Sequence, residues 1–210
     1  MSNLARWTDC KHLDAVIVSH LHIDHFGDLY PLFYALRFDY SMPWGLPLYQ
    51  PGGLLELMGR ILSDDAREFL PRVFDERRIG EDEELVLGEM RFSFFPITHM
   101  VEGYSIRVEG RGWSLAYSAD TSLNQDLVKA ALGVDLFICE ATMPVAFEKE
   151  ASFGHLTSHQ AARVAQEAGV RHLVLTHIWP TFEPEMVASE AAEVFGGRIS
   201  VARENQRIEL

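Results

Sequence analysis

Six residues, His20-Leu21-His22-Ile23-Asp24-His25, follow Leu13 to Val18 after a single serine, Ser19, and no other stretch limits the fold and chemistry of the chain so tightly. Apart from Asp14, Leu13 to Val18 is apolar and partly β-branched, so it reads as a short buried β-strand. Alternate residues of a strand share a face. A strand ending at Ser19 therefore hands His20 and His22 to one side of a strand-end loop, while Asp24 and His25 turn toward a second position. This H-x-H-x-D-H pattern reads as half of a two-metal site. Neutral imidazoles and a carboxylate suit Zn²⁺, with Mn²⁺ or Fe as alternatives, better than they suit Mg²⁺ or Ca²⁺. The pattern names a metal, not a reaction.

A buried metal site needs a core around it. The 210 residues, 48% of them apolar, are enough for one globular domain spanning 1–210. The formal net charge of −13 opposes broad capture of a polyanion, because non-specific nucleic-acid affinity comes mostly from Lys and Arg neutralising phosphates. A nucleic-acid substrate would need a local basic patch, although two bound divalent cations would reverse the sign of charge at the site itself. Cys10 and Cys139 form no disulfide framework and no C-x-x-C occurs, which fits reduced thiols in the cytoplasm. The N-terminus has no apolar h-region and no apolar run approaches 18 residues, so neither export nor a membrane anchor is expected.

Along the chain, strands and helices alternate. The pattern predicts a helix from Asp28 to Phe38 with Pro31 in its first turn, a loop at Ser41 to Gly45, and a strand at Leu46 to Gln50. Helices follow at Leu54 to Leu62 and Asp64 to Phe74. Glu81 to Glu84 reads as a solvated turn. Strands at Glu84 to Leu87, Met90 to Ile97, Tyr104 to Val108 and Trp113 to Tyr117, separated by glycines, predict an antiparallel meander. From Asn124 the rhythm changes: helix to Leu132, strand Leu136 to Cys139, helix Thr157 to Ala168, strand His172 to Thr176, helix Pro184 to Phe195, then strands at Arg198 to Ala202 and Gln206 to Leu210. Tyr34, Phe38, Tyr40 and Trp44 read as core aromatics, with the floor of a substrate pocket as the alternative.

If the first cluster binds metal, further ligands should stand at strand ends, since a two-metal site takes about seven protein ligands. Three residues satisfy that rule: His99 after Met90 to Ile97, Asp120 after Trp113 to Tyr117, and His177 after His172 to Thr176. Singly, each is as readily an ordinary hydrogen-bonded residue; together with the cluster they form a donor set.

With these residues in place, the chain resembles the metallo-β-lactamase-fold hydrolases, and within them the ribonuclease Z and related phosphodiesterase branch. The order H-x-H-x-D-H, His, Asp, His is that superfamily's ligand order. The resemblance implies an α/β fold, the αββα sandwich. It implies that His20, His22 and His99 hold one ion, that Asp24, His25 and His177 hold the other, and that Asp120 bridges them. Ile138-Cys139-Glu140-Ala141-Thr142 is similar to the branch's H-E-A-T element, with Cys139 in place of its His. Gly154-His155-Leu156-Thr157-Ser158 is similar to its H-S-T element. The likeness runs from about Leu13 to Ile178.

Two divalent ions can hold a shared water as hydroxide near neutral pH and stabilise both oxygens of an in-line displacement. In that scheme Asp24 binds metal and orients the hydroxide. His155 stabilises the developing charge or protonates the departing alkoxide, with Glu140 fixing its tautomer; the plain structural alternative for His155 is a residue before the helix cap. His12, His159 and His172 read as structural.

Two departures from the family pattern matter. Family members place several strands before the H-x-H-x-D-H cluster, whereas Met1 to Ser19 alone precede it here, so the resemblance implies an N-terminally truncated chain. The long arm that ribonuclease Z inserts between the ligands matching His99 and Asp120 does not fit the 21 positions available (120 − 99). His177 is followed by Ile178-Trp179-Pro180 rather than Ser-x-Arg-Tyr. Both features, with the acidic charge, favour a small phosphodiester such as a cyclic nucleotide over tRNA. The alternatives are a carboxylic-ester, lactone or thioester hydrolase of the same fold, and a truncated domain that binds metal without turnover. Related enzymes are commonly dimers, which leaves a homodimer open.

Overall fold

The computed structural model describes residues 1–39, 44–81 and 83–210. The chain divides into two compact units, Met1–Ile79 and Gly80–Leu210, each with a buried apolar cluster of its own, where the sequence reading takes 1–210 as one domain.

In the first unit, a three-stranded parallel sheet is built from β1 (Val16–Ile17), β2 (Leu46–Gln50) and β3 (Phe74–Arg78) in that order. Helices α1 (Ile23–Phe26), α2 (Leu29–Phe38), α3 (Leu54–Gly59), α4 (Asp64–Arg67) and α5 (Leu70–Val73) connect them. Leu29, Leu32, Phe33 and Leu36 lie at helical spacing along α2, and all four are buried, in one cluster with Leu48, Leu54, Met58, Leu70 and Phe74. The pattern of apolar residues thus places this core as expected.

Several expectations need correction here. The first strand shrinks from Leu13–Val18 to two residues, because a 3₁₀ turn at Cys10–His12, capped by the Asp9 carboxylate on Lys11 N at 3.1 Å, consumes the approach to it and Asp14 interrupts the apolar run. The helix expected over Leu54 to Leu62 ends at Gly59. The helix expected over Asp64 to Phe74 is two separate turns, since Pro71 has no N–H to donate back to the preceding turn and sits in the first turn of α5. Finally, β3 escaped notice. Of its five residues only Phe74 is buried, so it shows no period-two signal and is a strand through its pairing with β2 alone. Tyr34, Phe38 and Trp44 are exposed rather than core, with Tyr34 stacked on Phe38 at 6.0 Å and Trp44 edge-on to Phe69 at 5.9 Å. Tyr40 and most of the predicted 41–45 loop, like Asp82 of the acidic run, lie outside the described residues.

The second unit is a seven-stranded mixed sheet. Its first four strands, β4 (Glu84–Leu87), β5 (Met90–Pro96), β6 (Tyr104–Gly110) and β7 (Trp113–Tyr117), form the predicted antiparallel meander. The next three, β8 (Leu136–Glu140), β9 (His172–Thr176) and β10 (Arg198–Val201), add on in parallel. The residues expected to form a last strand, 206–210, make none; none of the five is buried, so no face holds them to the sheet.

Parallel neighbours need crossovers, and helices α6 (Gln125–Ala131), α7 (Glu148–Ala151), α8 (Ser158–Ala168) and α9 (Pro184–Ala192) occupy them. Asn124 caps α6 through Leu127 N at 2.8 Å. Thr157 and Gln160 form a reciprocal capping box at the start of α8, and Gly169, at φ 65°, ends it, as the sequence Thr-x-x-Gln and a terminal glycine prescribe. Ala161, Ala162, Ala165 and Ala168 of α8 are buried in one cluster with Phe137, Leu173 and Leu175. Small side chains let a helix lie close to the sheet, and each large apolar residue buried there contributes about 1.5–3 kcal/mol.

The direction of the strands decides where chemistry can be assembled. β7, β8 and β9 run in parallel, and β5 runs the same way because two antiparallel pairings separate it from β7. The C-terminal ends of all four therefore open on one rim of the sheet, the usual place for a site in an open α/β fold. No helix among the described residues is long and apolar enough to cross a membrane.

Candidate active site

In the first unit the H-x-H-x-D-H residues gather in one turn. His20 is buried, His22 is the N-cap of α1, and Asp24 and His25 lie within that helix. The His20 ring is 5.0 Å from that of His22 and 4.0 Å from that of His25, centroid to centroid. Ser19 Oγ lies 3.1 Å from His20 Nδ1, and His25 Nε2 lies 3.5 Å from an Asp24 oxygen. The strand ends at Ile17, and Asp24 and His25 enter a short helix rather than a loop.

The second unit brings His99, Asp120, Glu140, His155 and His177 to the rim described above. Asp120 follows Ala119, at φ 53°, and His177 itself adopts φ 55°. A left-handed backbone is costly for residues with a Cβ, and such outliers cluster at functional sites. Serines secure the first of these turns: Ser118 Oγ donates to Ala119 O at 2.6 Å and accepts from Glu140 N at 2.9 Å, while Ser105 Oγ donates to Ser118 O at 2.6 Å. Asp120, 2% exposed, has an oxygen 3.4 Å from His177 Nε2. Asp120, His155 and His177 each offer a donor atom within 4.8 Å of the other two. Asp120 and His177 supply a carboxylate and an imidazole that match the donor preferences of Zn²⁺ and similar ions, with His155 standing beside them.

The ring of His155 stands between those of two predicted ligands, 5.1 Å from His99 and 5.6 Å from His177. Its Nδ1 lies 3.2 Å from Glu140 Oε1, while 18% of its side chain stays exposed. Glu140 is 1% exposed, and each of its oxygens accepts twice. Oε1 takes Thr121 N at 2.7 Å and His155 Nδ1; Oε2 takes Thr142 Oγ1 at 2.6 Å and Leu156 N at 3.1 Å. A buried carboxylate with four donors is held in place as an acceptor, which makes His155 Nδ1 a donor and Nε2 the nitrogen available for chemistry. Cys139, where the resemblance leads one to expect histidine, is fully buried, and burial pushes its thiol well above the ordinary cysteine range. It stays a protonated core side chain, unsuited to bind metal or attack a substrate.

His99 is oriented by backbone. Its Nδ1 donates to Gly154 O at 2.8 Å, an arrangement that leaves the lone pair on Nε2, as for a metal-ligating histidine. Gly154 is required there: its φ is +124°, and a Cβ would stand 2.5 Å from His99 Nδ1. Replacing Gly154 by alanine is expected to lower stability by at least about 1 kcal/mol and to weaken zinc binding roughly 10–100-fold by turning His99. Thermal melts and zinc titration of the variant check both; an unchanged affinity would remove His99 from the donor set.

A model of the β-lactamase superfamily domain matches residues 2–178. This chain belongs to that family. Among β-lactamase superfamily relatives, an uncharacterized protein of Mycobacterium tuberculosis is 37% identical over 188 residues, covering 88% of this chain and 68% of the relative. A ribonuclease Z of Brevibacillus brevis is 28% identical over 260 residues, covering 92% and 81%. The crystal structure of the metallo-β-lactamase fold protein YhfI from Bacillus subtilis superposes with a TM-score of 0.83 at 27% identity, over 97% of this chain and 80% of that one. The α/β fold is thus the metallo-β-lactamase fold the motif order implied.

The sequence reading missed the residues that hold the site together: Ser118, Thr121, Thr142 and Gly154. For Thr142 a signal existed, since it stands two positions after Glu140. His172 and His159, read as structural, both pair with residues of the second unit. His172 Nε2 lies 2.8 Å from Ser200 Oγ, burial lowering its proton affinity, and His159 lies 3.4 Å from Glu193.

Proposed function

We propose that this β-lactamase superfamily member is a metal-dependent hydrolase that cleaves a small phosphodiester, a cyclic nucleotide being a representative substrate. The donor set is the one taken from the motif order: His20, His22, Asp24, His25, His99, Asp120 and His177. When bound, two divalent ions, Zn²⁺ in the first instance, would activate water and offset the negative charge of the phosphate.

The protein's own residues do the rest. Asp24 orients the attacking water and accepts its proton. Asp120 contributes its carboxylate from a buried position beside His177. His155 carries the transition-state role: with Nδ1–H donated to Glu140, its Nε2 delivers a proton to the departing alkoxide or stabilises charge on phosphorus.

The observation that carries this reading is the Glu140–His155 pair, seated against the rings of His99 and His177. Attack on an ester or lactone carbonyl has no required part for such a pair. A further observation bears on substrate size. Between His99 and Asp120 the chain forms only β6 and β7 joined by a short turn, and a tRNA-binding arm has no place there. Unlinked Cys10 and Cys139 suit a reducing cytoplasm.

Side-by-side rates on bis-p-nitrophenyl phosphate and on a simple lactone test the proposal. Preference for the phosphodiester is expected, and faster lactone opening would overturn it.

A further inference from the structure

Thr142 is fully buried, and its hydroxyl sits among three side chains of the site: 2.6 Å from Glu140 Oε2, 2.9 Å from His177 Nδ1 and 3.3 Å from His155 Nδ1. A hydroxyl has one proton to give and two lone pairs to accept with. The carboxylate can only accept, so the proton of Thr142 goes to Glu140, and 2.6 Å is the length of a charge-assisted O–H···O⁻ bond. Facing His177, the same oxygen must then accept. That requires a hydrogen on His177 Nδ1 and leaves the neutral ring's lone pair on Nε2, the nitrogen that lies 3.4 Å from Asp120. The more distant His155 Nδ1 finds its closer partner in Glu140 Oε1 at 3.2 Å.

We propose that Thr142 is a positioning residue. Its hydroxyl relays the Glu140 carboxylate to His177 Nδ1 and so fixes the tautomer in which His177 Nε2 can ligate a divalent cation. One buried carboxylate thereby orients two histidines of different duty, His155 directly and His177 through Thr142. The inference rests on the reading of His177 as a metal ligand, and its test separates the two.

Thr142→Val keeps the shape and removes the hydroxyl; Thr142→Ser restores the hydroxyl and loses a methyl. In metal-free protein, ¹⁵N-correlated spectra of the histidine rings report the tautomer of His177. The wild type and Thr142→Ser are expected to show the hydrogen on Nδ1, and Thr142→Val a mixture or the opposite form. Zinc titration is expected to show affinity roughly 10–100-fold weaker in Thr142→Val, the usual effect of losing a partner behind a ligating histidine, and near wild-type affinity in Thr142→Ser. An unchanged tautomer with unchanged affinity in folded Thr142→Val overturns the relay. Should Thr142→Val fail to fold, Thr142→Ser decides: a His177 tautomer other than Nδ1–H in that variant or in the wild type overturns it equally. A wild-type chain that takes up no zinc overturns the ligand reading instead, while the spectra still decide the relay.

Discussion

Asp120→Ala is expected to lower kcat/KM for phosphodiester hydrolysis by on the order of 10³-fold or more and to reduce bound metal. Charge stabilisation by a metal ion is worth several kcal/mol at the transition state, and each 1.36 kcal/mol is tenfold in rate. Asp120 is 2% exposed and lies beside His177 Nε2 at 3.4 Å, so its truncation removes a buried carboxylate from the site. Steady-state rates together with metal analysis of the purified variant give the answer, and circular dichroism shows that the fold is retained. A variant with wild-type metal content and a rate within tenfold of normal would take Asp120 out of the site.

His155→Ala carries the second large effect, and its signature is selective. General acid catalysis typically contributes 10²–10⁴-fold, so a loss of roughly that size in kcat is expected for an alkyl phosphodiester, whose departing alkoxide needs a proton. For bis-p-nitrophenyl phosphate the deficit should be much smaller, because p-nitrophenolate leaves without one. Metal content should not change, since Asp120, His177 and His99 keep their own partners: Thr142 for His177 and the Gly154 carbonyl for His99. Equal losses on both substrates would point to charge stabilisation by His155 rather than proton delivery, and no loss on either would return it to a structural role at the start of α8.

What the sequence reveals follows from how each signal arises. The meander, the helix from Thr157 and the strand-end placement of His99, Asp120 and His177 were all legible, because they rest on period-two and helical patterns and turn residues that act locally. β3 was not, since Asp75, Glu76, Arg77 and Arg78 are exposed and the strand exists through its partner. The split of the expected 64–74 helix is visible in hindsight at Pro71. Thr142 and Gly154 show the deeper limit. Each lies inside a quoted motif, but their work depends on residues 35 and 55 positions away, His177 and His99, and no local pattern announces a partner at that distance. Tyr34 and Phe38 erred the other way, since helical spacing of aromatics marks a face without saying whether anything covers it.

The four strands whose ends share one rim have a consequence for how such a protein can vary. The sheet needs only its strands to stay in register, and it is indifferent to what is spliced between them. His99, Asp120 and His177 stand within three residues of the ends of β5, β7 and β9, so their donor atoms can stay put while the more distant parts of those connections lengthen, shorten or change chemistry. A scaffold organised like this divides its work between a frame that positions reactive groups and connections that can shape what reaches them.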